Sequence, residues 1–226
     1  MKNTGGVPRE KSGAQTRLYG AQDMARIASS ACAGCGACCR GMGDTIVLDP
    51  CDVTQICAAA GSTFQDLMGA GIDLHVEEGV ILPHIMMREE TESCYYLGED
   101  GKCSIHPYRP GICRLFPLGR QFGQEKTSYF IVPGGCVKGG LSKVRIDRWI
   151  GIPDLPRHEA YKADWHSLLR TLKARIAAEE SGEVQRNINL FFLRTFFMEP
   201  YRAAFPAEEF YREIAERIRK FADAVL

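Results

Sequence analysis

A run of closely spaced cysteines, CAGCGACC at residues 32–39, constrains this chain more than any other feature of its sequence. A Cys-x-x-Cys step lets one tight turn direct two thiols at a common point, and a second such step adds a third thiol. Gly34 and Gly36 make these turns accessible because glycine tolerates a positive φ. The N–H groups beside them can also hydrogen-bond to sulfur. The run therefore predicts thiolates that converge on one site.

The rest of the composition favours metal over disulfides. Lys plus Arg total 28 and Asp plus Glu also total 28, so no global field attracts nucleic acid or an anionic membrane. The N-terminal residues 1–17 are polar and lack the apolar segment of a signal peptide. No stretch approaches the roughly 20 apolar residues that span a bilayer. We therefore expect a cytoplasmic protein without membrane insertion, in which clustered cysteines bind metal or do redox chemistry.

Two kinds of metal group suit the spacing. It resembles the first three ligands of bacterial ferredoxin-type clusters, which predicts an iron–sulfur cluster of the [4Fe–4S] type. It also suits a zinc knuckle, so Zn²⁺ is the alternative. Cys38 and Cys39 are adjacent, and because adjacent side chains tend to diverge we expect them not to share one ion. One of the two serves a second metal, bridges two ions, or packs as a small apolar side chain.

A second group of cysteines follows at wider spacing and completes the predicted site. If residues 94–105 form a β-hairpin with its turn at Asp100-Gly101, Cys94 and Cys103 lie near its base and face each other. Cys113 then falls in a proline-bounded turn, and no cysteine follows Cys136.

Arginines beside these cysteines are candidate partners of the bound group. A site with four thiolates on Zn²⁺ or on a [4Fe–4S]²⁺ core carries about two negative charges. Arg40, Arg109 and Arg114 can offset that charge through hydrogen bonds around the ligands. The alternative is that they are ordinary surface arginines.

Three segments together resemble a known family. CAGCGACC, IVLDPCD and CYYLGEDGKCSIHPYRPGICRLFP are similar to the YkgJ-type cysteine-cluster family, also described as a zinc- or iron-chelating CxxCxxCC domain. The resemblance spans about residues 32–136. It implies metal binding through Cys32, Cys35, Cys38, Cys39, Cys94, Cys103, Cys113 and Cys136. Flagellin lysine methylases are similar to this family over the cysteine cluster, but this chain is shorter.

Cys51 and Cys57 lie outside the shared pattern. They are six residues apart on a predicted helix, hence on different faces, which favours core packing for both. His106, three residues after Cys103, is either a ligand or a packed side chain.

The remaining patterns predict an α+β fold: a small, irregular cysteine-rich domain organised by metal, with short strands and a hairpin, and a helical C-terminal subdomain. We expect a flexible lead over 1–18, the cysteine-cluster domain over 19–145 and the helical subdomain over 146–226. Within them the patterns predict helices over 19–31, from Asp49 to Gly61 and from Ser62 or Thr63, strands at 44–49, 80–88 and 127–132, and three helices over 157–226. In the helix after Asp49 we expect Val53, Ile56 and Ala60 to face inward.

Three functions remain open. The favoured one is an iron–sulfur protein for electron transfer or redox sensing, which contacts a redox enzyme or complex through the C-terminal helices. The second is a zinc-binding structural or interaction module, and the third is a group-transfer enzyme distantly related to the methylases. No Gly-x-Ser-x-Gly, P-loop or dinucleotide-binding motif is present, so no catalytic residue is predicted.

Overall fold

The computed structural model describes residues 16–29, 35–123, 126–136 and 139–226. The predicted α+β class is confirmed. The strands are β1 Met24–Ile27, β2 Ile72–Glu77, β3 Val80–Ile85, β4 Met87–Arg88, β5 Ser93–Cys94, β6 Leu118–Phe122, β7 Thr127–Ile131 and β8 Ser142–Arg145. The helices are α1 Pro50–Ala60, α2 Phe64–Leu67, α3 Gly111–Leu115, α4 Ile146–Ile150, α5 Leu155–Ala177, α6 Gly182–Leu193 and α7 Glu208–Val225. The strands form antiparallel pairs, β1–β8, β2–β3, β4–β5 and β6–β7.

Strand β1 lies where a helix was predicted over residues 19–31, so that prediction was wrong within the described part of the segment. Ala25 and Ile27 are buried while Met24 and Arg26 are exposed, which is the two-residue period of a strand. The four residues pair with β8, starting from Met24 opposite Arg145. The apolar spacing that suggested a helix reflects this alternation.

Helix α1 begins and ends where its capping residues predict. The Asp49 carboxylate accepts from the Asp52 N–H at 2.9 Å, the Asp52 carboxylate accepts from the Asp49 N–H at 3.2 Å, and Pro50 opens the first turn. Gly61 ends the helix with φ at 63°. Val53 and Ile56 face inward as expected, but Ala60 is exposed because the last turn reaches the surface.

The segment that leads into α1 is hydrogen-bonded to strand β3. Residues 46–48 run beside β3, with the Leu48 N–H donating to the Pro83 carbonyl at 2.8 Å and the Ile85 N–H donating to the Ile46 carbonyl at 2.9 Å. Only a single bridge, Val47 to His84, forms there, so the predicted strand over 44–49 is present as an extended segment. The predicted strands at 80–88 and 127–132 correspond to β3–β4 and β7, and the predicted second short helix corresponds to α2.

The three predicted C-terminal helices are α5, α6 and α7, with a π turn, Arg194–Met198, extending α6. Their aromatic side chains share one core with the cysteine-rich part: Ile56 and Leu82 belong to the same buried cluster as Phe192, Phe196 and Phe221. The side chain of Asn189 fixes α6 to the β2–β3 hairpin, because it accepts from the Ile81 N–H at 2.8 Å and donates to the Gly79 carbonyl at 2.9 Å. The division at residues 18 and 145 stays a prediction, and residues 1–15 lie outside the described part.

Among the helices described, none combines the length and the apolar character that crossing a membrane requires.

Candidate metal centre

Cysteines from three separate segments line one cleft of about 460 Å³, which we call the cysteine cleft. The segments are the loop at residues 35–39, the hairpin at 94–103 and helix α3. The cysteines that line it are Cys35, Cys38, Cys39, Cys94, Cys103 and Cys113. The fold thus brings together most of the residues that the resemblance implies as ligands.

The loop at 35–39 reaches the cleft through a left-handed glycine. Gly36 has φ at 61°, and residues 37–39 continue as a single 3₁₀ turn. A Cβ at Gly36 would lie 2.9 Å from the Gly101 carbonyl oxygen and 3.2 Å from Leu97 Cδ1. The loop therefore lies directly against the tip of the 94–105 hairpin, where a side chain has no room.

Cys38 and Cys39 both line the cysteine cleft, and each thiol affects the pKa of the other. The tight 3₁₀ turn that contains them turns both side chains towards this cleft. That the two do not share one ion stays a prediction. Both residues are half-buried.

The predicted hairpin is present as a short, irregular one. The Gly98 N–H donates to the Lys102 carbonyl and the Ser104 N–H to the Tyr96 carbonyl, both at 2.8 Å, and Leu97 bridges Cys103. The turn closes with the Gly101 N–H donating to the Gly98 carbonyl at 3.0 Å. Cys94 and Cys103 both line the cleft, as the hairpin pattern predicted.

Helix α3 places Cys113, and a buried carboxylate fixes the start of that helix. Asp52 on α1 accepts from the Gly111 N–H at 2.7 Å. Asp52 falls within the predicted helix after Asp49, and its spacing to Gly111 along the chain gave no signal of this contact. Cys113 follows Gly111 by two residues, so α1 positions this thiol through a single hydrogen bond.

Of the predicted arginines, two line the cleft. Arg114 Nε donates to the Arg109 carbonyl at 3.1 Å and its Nη2 donates to the Pro107 carbonyl, so Arg114 braces the turn before α3. Arg109 Nη1 donates to the His106 carbonyl at 3.0 Å. Arg40 is exposed and does not line the cleft, although its backbone bridges Ser93.

The electrostatics of the cleft suit a cationic occupant. The hydrogen bond from Cys39, with the nearby charge of Arg109, lowers the pKa of the Cys38 thiol to about 6. The same bond raises the pKa of Cys39, and burial is the main cause that raises the pKa of Cys94, Cys103 and Cys113. Neighbouring thiolates also raise the pKa of these buried groups, so several of them ionise together only when a metal supplies positive charge.

The donor set fits a thiolate-bound metal group, but the thiols are spread around the cleft. Across the described ranges, no three Cys, His, Asp or Glu side chains stand close enough to hold a single metal ion. Cys32 lies outside the described residues. Cys136 is exposed and lines a different cleft with Tyr19, Pro117 and Val132.

The remaining candidates have clear positions. His106 is exposed at the mouth of the cysteine cleft, and burial together with Arg109 lowers its pKa. Cys51 is 1% exposed in the core and Cys57 is half-buried, and neither lines the cleft, in agreement with a packing role.

An irregular α+β unit with six thiols around one cleft is typical of a cysteine-rich metal-binding domain. Residues 31–136 match the model of the CxxCxxCC family, whose description is "Putative zinc- or iron-chelating domain". The match covers slightly under half of the chain and confirms the resemblance that the sequence motifs indicated. Neither the curated proteins nor the solved structures compared with the chain gave a match.

Proposed function

We propose that this chain carries an iron–sulfur cluster of the [4Fe–4S] type in the cysteine cleft and uses it for electron transfer or redox sensing. The observation that supports this choice is that thiols from three segments surround a cleft of about 460 Å³ rather than meeting at a point. A structural Zn²⁺ draws four ligand atoms to within roughly 2.0–2.3 Å of one centre. A four-iron cluster distributes its thiolates over separate irons and fills a larger space.

The charges around the cleft support the same proposal. A cluster with four thiolates carries about two negative charges in its oxidised form. Arg109 lies just before α3 and Arg114 lies on it, and both line the cleft, where their positive charges offset that negative charge. Hydrogen bonds and nearby charge of this kind tune the reduction potential of a cluster.

The mouth of the cleft suits exchange of electrons with a partner. The exposed side chains of Lys102 and His106 line the cleft. The C-terminal helices offer a separate contact surface, since Val184, Phe191 and Met198 follow one another at seven-residue intervals and are all exposed. We propose that a redox enzyme or complex in the cytoplasm binds there.

Metal and acid-labile sulfide analysis of protein purified anaerobically without chelator tests the proposal. We expect iron and sulfide in comparable amounts, with a broad brown absorption band. Zinc at about one ion per chain, without sulfide or colour, would instead favour the zinc-binding structural module.

A further inference from the structure

A second cleft, of about 660 Å³, adjoins the cysteine cleft. Cys38, Ile46, Cys113 and Phe116 line both clefts, so they form the wall between the two. Most of the other side chains in the second cleft are apolar, including Leu48, Leu115, Leu118, Phe122, Trp165 and Leu169. Its volume falls in the range of pockets that hold small organic molecules.

One charged side chain in this second cleft has two nitrogens without a hydrogen-bond partner. Arg120 on β6 lines the cleft, and its Nε and Nη2 atoms are buried without a hydrogen bond to any residue that the structure describes. Leaving a buried charged donor unsatisfied costs more than leaving a neutral one. The Arg120 guanidinium also lies 6.0 Å from the ring centre of Tyr129. At this distance a cation–π interaction offsets little of the cost of burying the charge.

The carboxylates nearby are already engaged. Asp49 forms an ion pair with Lys162, and Glu159 accepts a hydrogen bond from the Tyr129 hydroxyl. Asp52 accepts from the Gly111 N–H. Arg120 is therefore a cation in a largely apolar cleft, which Asp49, Lys162 and His166 also line. The carboxylates of Asp49, Glu159 and Asp52 already bond to other groups.

We propose that the second cleft binds a small organic carboxylate, with the carboxylate on Arg120 and an aliphatic or aromatic body against Leu118, Leu169 and Trp165. A guanidinium binds a carboxylate through paired, charge-assisted hydrogen bonds, and the apolar lining contributes through buried area. Because Cys38 and Cys113 line both clefts, a molecule bound in the second cleft would share a wall with residues that would hold the metal. The inference goes beyond the proposed function and does not depend on which metal is bound.

Titration calorimetry on the full-length, metal-loaded protein tests this with three probes: octanoate, 1-octanol and inorganic phosphate. Octanoate should bind at least tenfold more tightly than 1-octanol, which has the same chain without the charge, and phosphate should bind more weakly than octanoate. Equal affinity for the acid and the alcohol would overturn the proposal, as would tighter binding of phosphate or no binding of octanoate.

The variant Arg120→Gln tests whether Arg120 binds the carboxylate group of octanoate. This variant should bind octanoate at least tenfold more weakly, while Arg170→Gln, which changes an exposed arginine on α5 outside both clefts, should bind it normally. Unchanged affinity in Arg120→Gln would overturn the proposal. If that variant fails to fold, the comparison of octanoate with 1-octanol on the unmodified protein still decides.

The two tryptophans report which cleft is occupied, since Trp165 lines the second cleft and Trp149 lines the cysteine cleft. An octanoate-dependent change in fluorescence should persist in Trp149→Phe and disappear in Trp165→Phe. The reverse pattern would place the ligand in the cysteine cleft and overturn the proposal.

Discussion

Cys113 is the thiol of the cysteine cleft that lies on an α-helix, and the Asp52 carboxylate accepts a hydrogen bond from the first residue of that helix, Gly111. We expect Cys113→Ser to lower the metal content of the purified protein and its thermal stability, because loss of a ligand removes folding free energy. Metal analysis and a thermal melt of the same sample measure both. Full occupancy with an unchanged melting temperature would remove Cys113 from the ligand set.

Cys57 provides the matched control. It is half-buried on α1 and lies outside the cysteine cleft, and burial raises the pKa of its thiol to about 11, so it stays neutral. Cys57→Ala should therefore leave the metal content unchanged. A clear fall in metal would contradict the division between shared and additional cysteines.

His158 on α5 gives a prediction about pH. The side chain is 2% exposed, and burial, with the charge of Lys162, lowers its pKa to about 3, although Asp49 acts in the opposite direction. The Tyr211 hydroxyl faces its ring at 3.3 Å, and Arg120 and Arg114 also disfavour its protonation. In the unfolded chain the pKa of histidine is about 6.5.

Between these two pKa values only the unfolded state binds the proton, so His158 makes the free energy of unfolding fall as the pH decreases from about 6.5 towards 3. The slope it contributes is about 1.4 kcal/mol per pH unit. His158→Gln should show a shallower fall over this interval, as measured by urea unfolding at several pH values. Parallel curves for the two proteins would show that His158 is not buried as a neutral group.

Among single residues, the sequence predicted six of the cysteines that line the cysteine cleft, but it also included Cys136, which lies elsewhere. The spacing of Cys94, Cys103 and Cys113 predicted a common site, and the cleft brings these three together. The orientation of both Cys38 and Cys39 towards one cleft and the separate position of Cys136 depend on backbone angles and strand packing, which residue spacing does not specify. Arg120 gave no signal, because its importance comes from unpaired nitrogens in a cleft that only the fold creates.

Among the elements, the loop at residues 35–39 depends most on one glycine. Gly36→Ala has two costs: a left-handed φ of 61°, and a Cβ that would approach the Gly101 carbonyl oxygen to 2.9 Å. Gly41→Ala has only the first, because φ there is 64° and nothing lies within 4 Å of its Cβ. The left-handed conformation alone costs roughly 1 kcal/mol for a non-glycine residue.

We therefore expect Gly36→Ala to reduce metal occupancy and to destabilise the protein more than Gly41→Ala does. Chemical denaturation and metal analysis of the two variants give the comparison. Equal effects would mean that the contact between the loop and the hairpin does not matter for the site.

Helices α1 and α5 are joined by a buried ion pair. Lys162 on α5 pairs with Asp49, which also caps α1, and the two side chains are 15% and 4% exposed. Lys162→Met should destabilise the protein by about 3 kcal/mol, because it leaves the carboxylate buried without a counter-charge.

Lys220→Met is the control for that variant. It breaks the pair between Lys220 and Glu216, whose side chains are 68% and 52% exposed, and water screens such exposed pairs so that they contribute little to stability. Urea unfolding of both variants measures the difference. Similar losses would show that burial does not set the strength of the Asp49–Lys162 pair.

Elements with strong local signals were predicted well, and elements defined by distant partners were not. The Asp49, Pro50 and Gly61 signals gave both ends of α1, since caps act within a few residues. Strand β1 was mistaken for a helix because its partner, β8, begins at Ser142, far along the chain. A four-residue strand carries too short a pattern to reveal such a partner.

On the scale of the whole molecule, one apolar core supports both the cysteine-rich part and the C-terminal helices. Phe192, Phe196 and Phe221 have no exposed surface and belong to the same cluster as Ile56 and Leu82. By contrast, residues 35–41 contribute no buried side chain. The loop that carries Cys35, Cys38 and Cys39 thus has less apolar burial to order it than the helices do, and we expect a bound metal to contribute the remaining order.

Removal of the metal should consequently loosen the molecule unevenly. We expect hydrogen–deuterium exchange to accelerate strongly in residues 35–41 and 94–113 of the metal-depleted protein, because those segments lose the bonds that connect them. Residues 188–197 and 210–221 should keep most of their protection, since their aromatic side chains stay packed whether metal is bound or not. Comparable loss of protection in all four segments would mean that the metal holds the entire fold together. In that case the shared core would be too weak to order the C-terminal helices by itself.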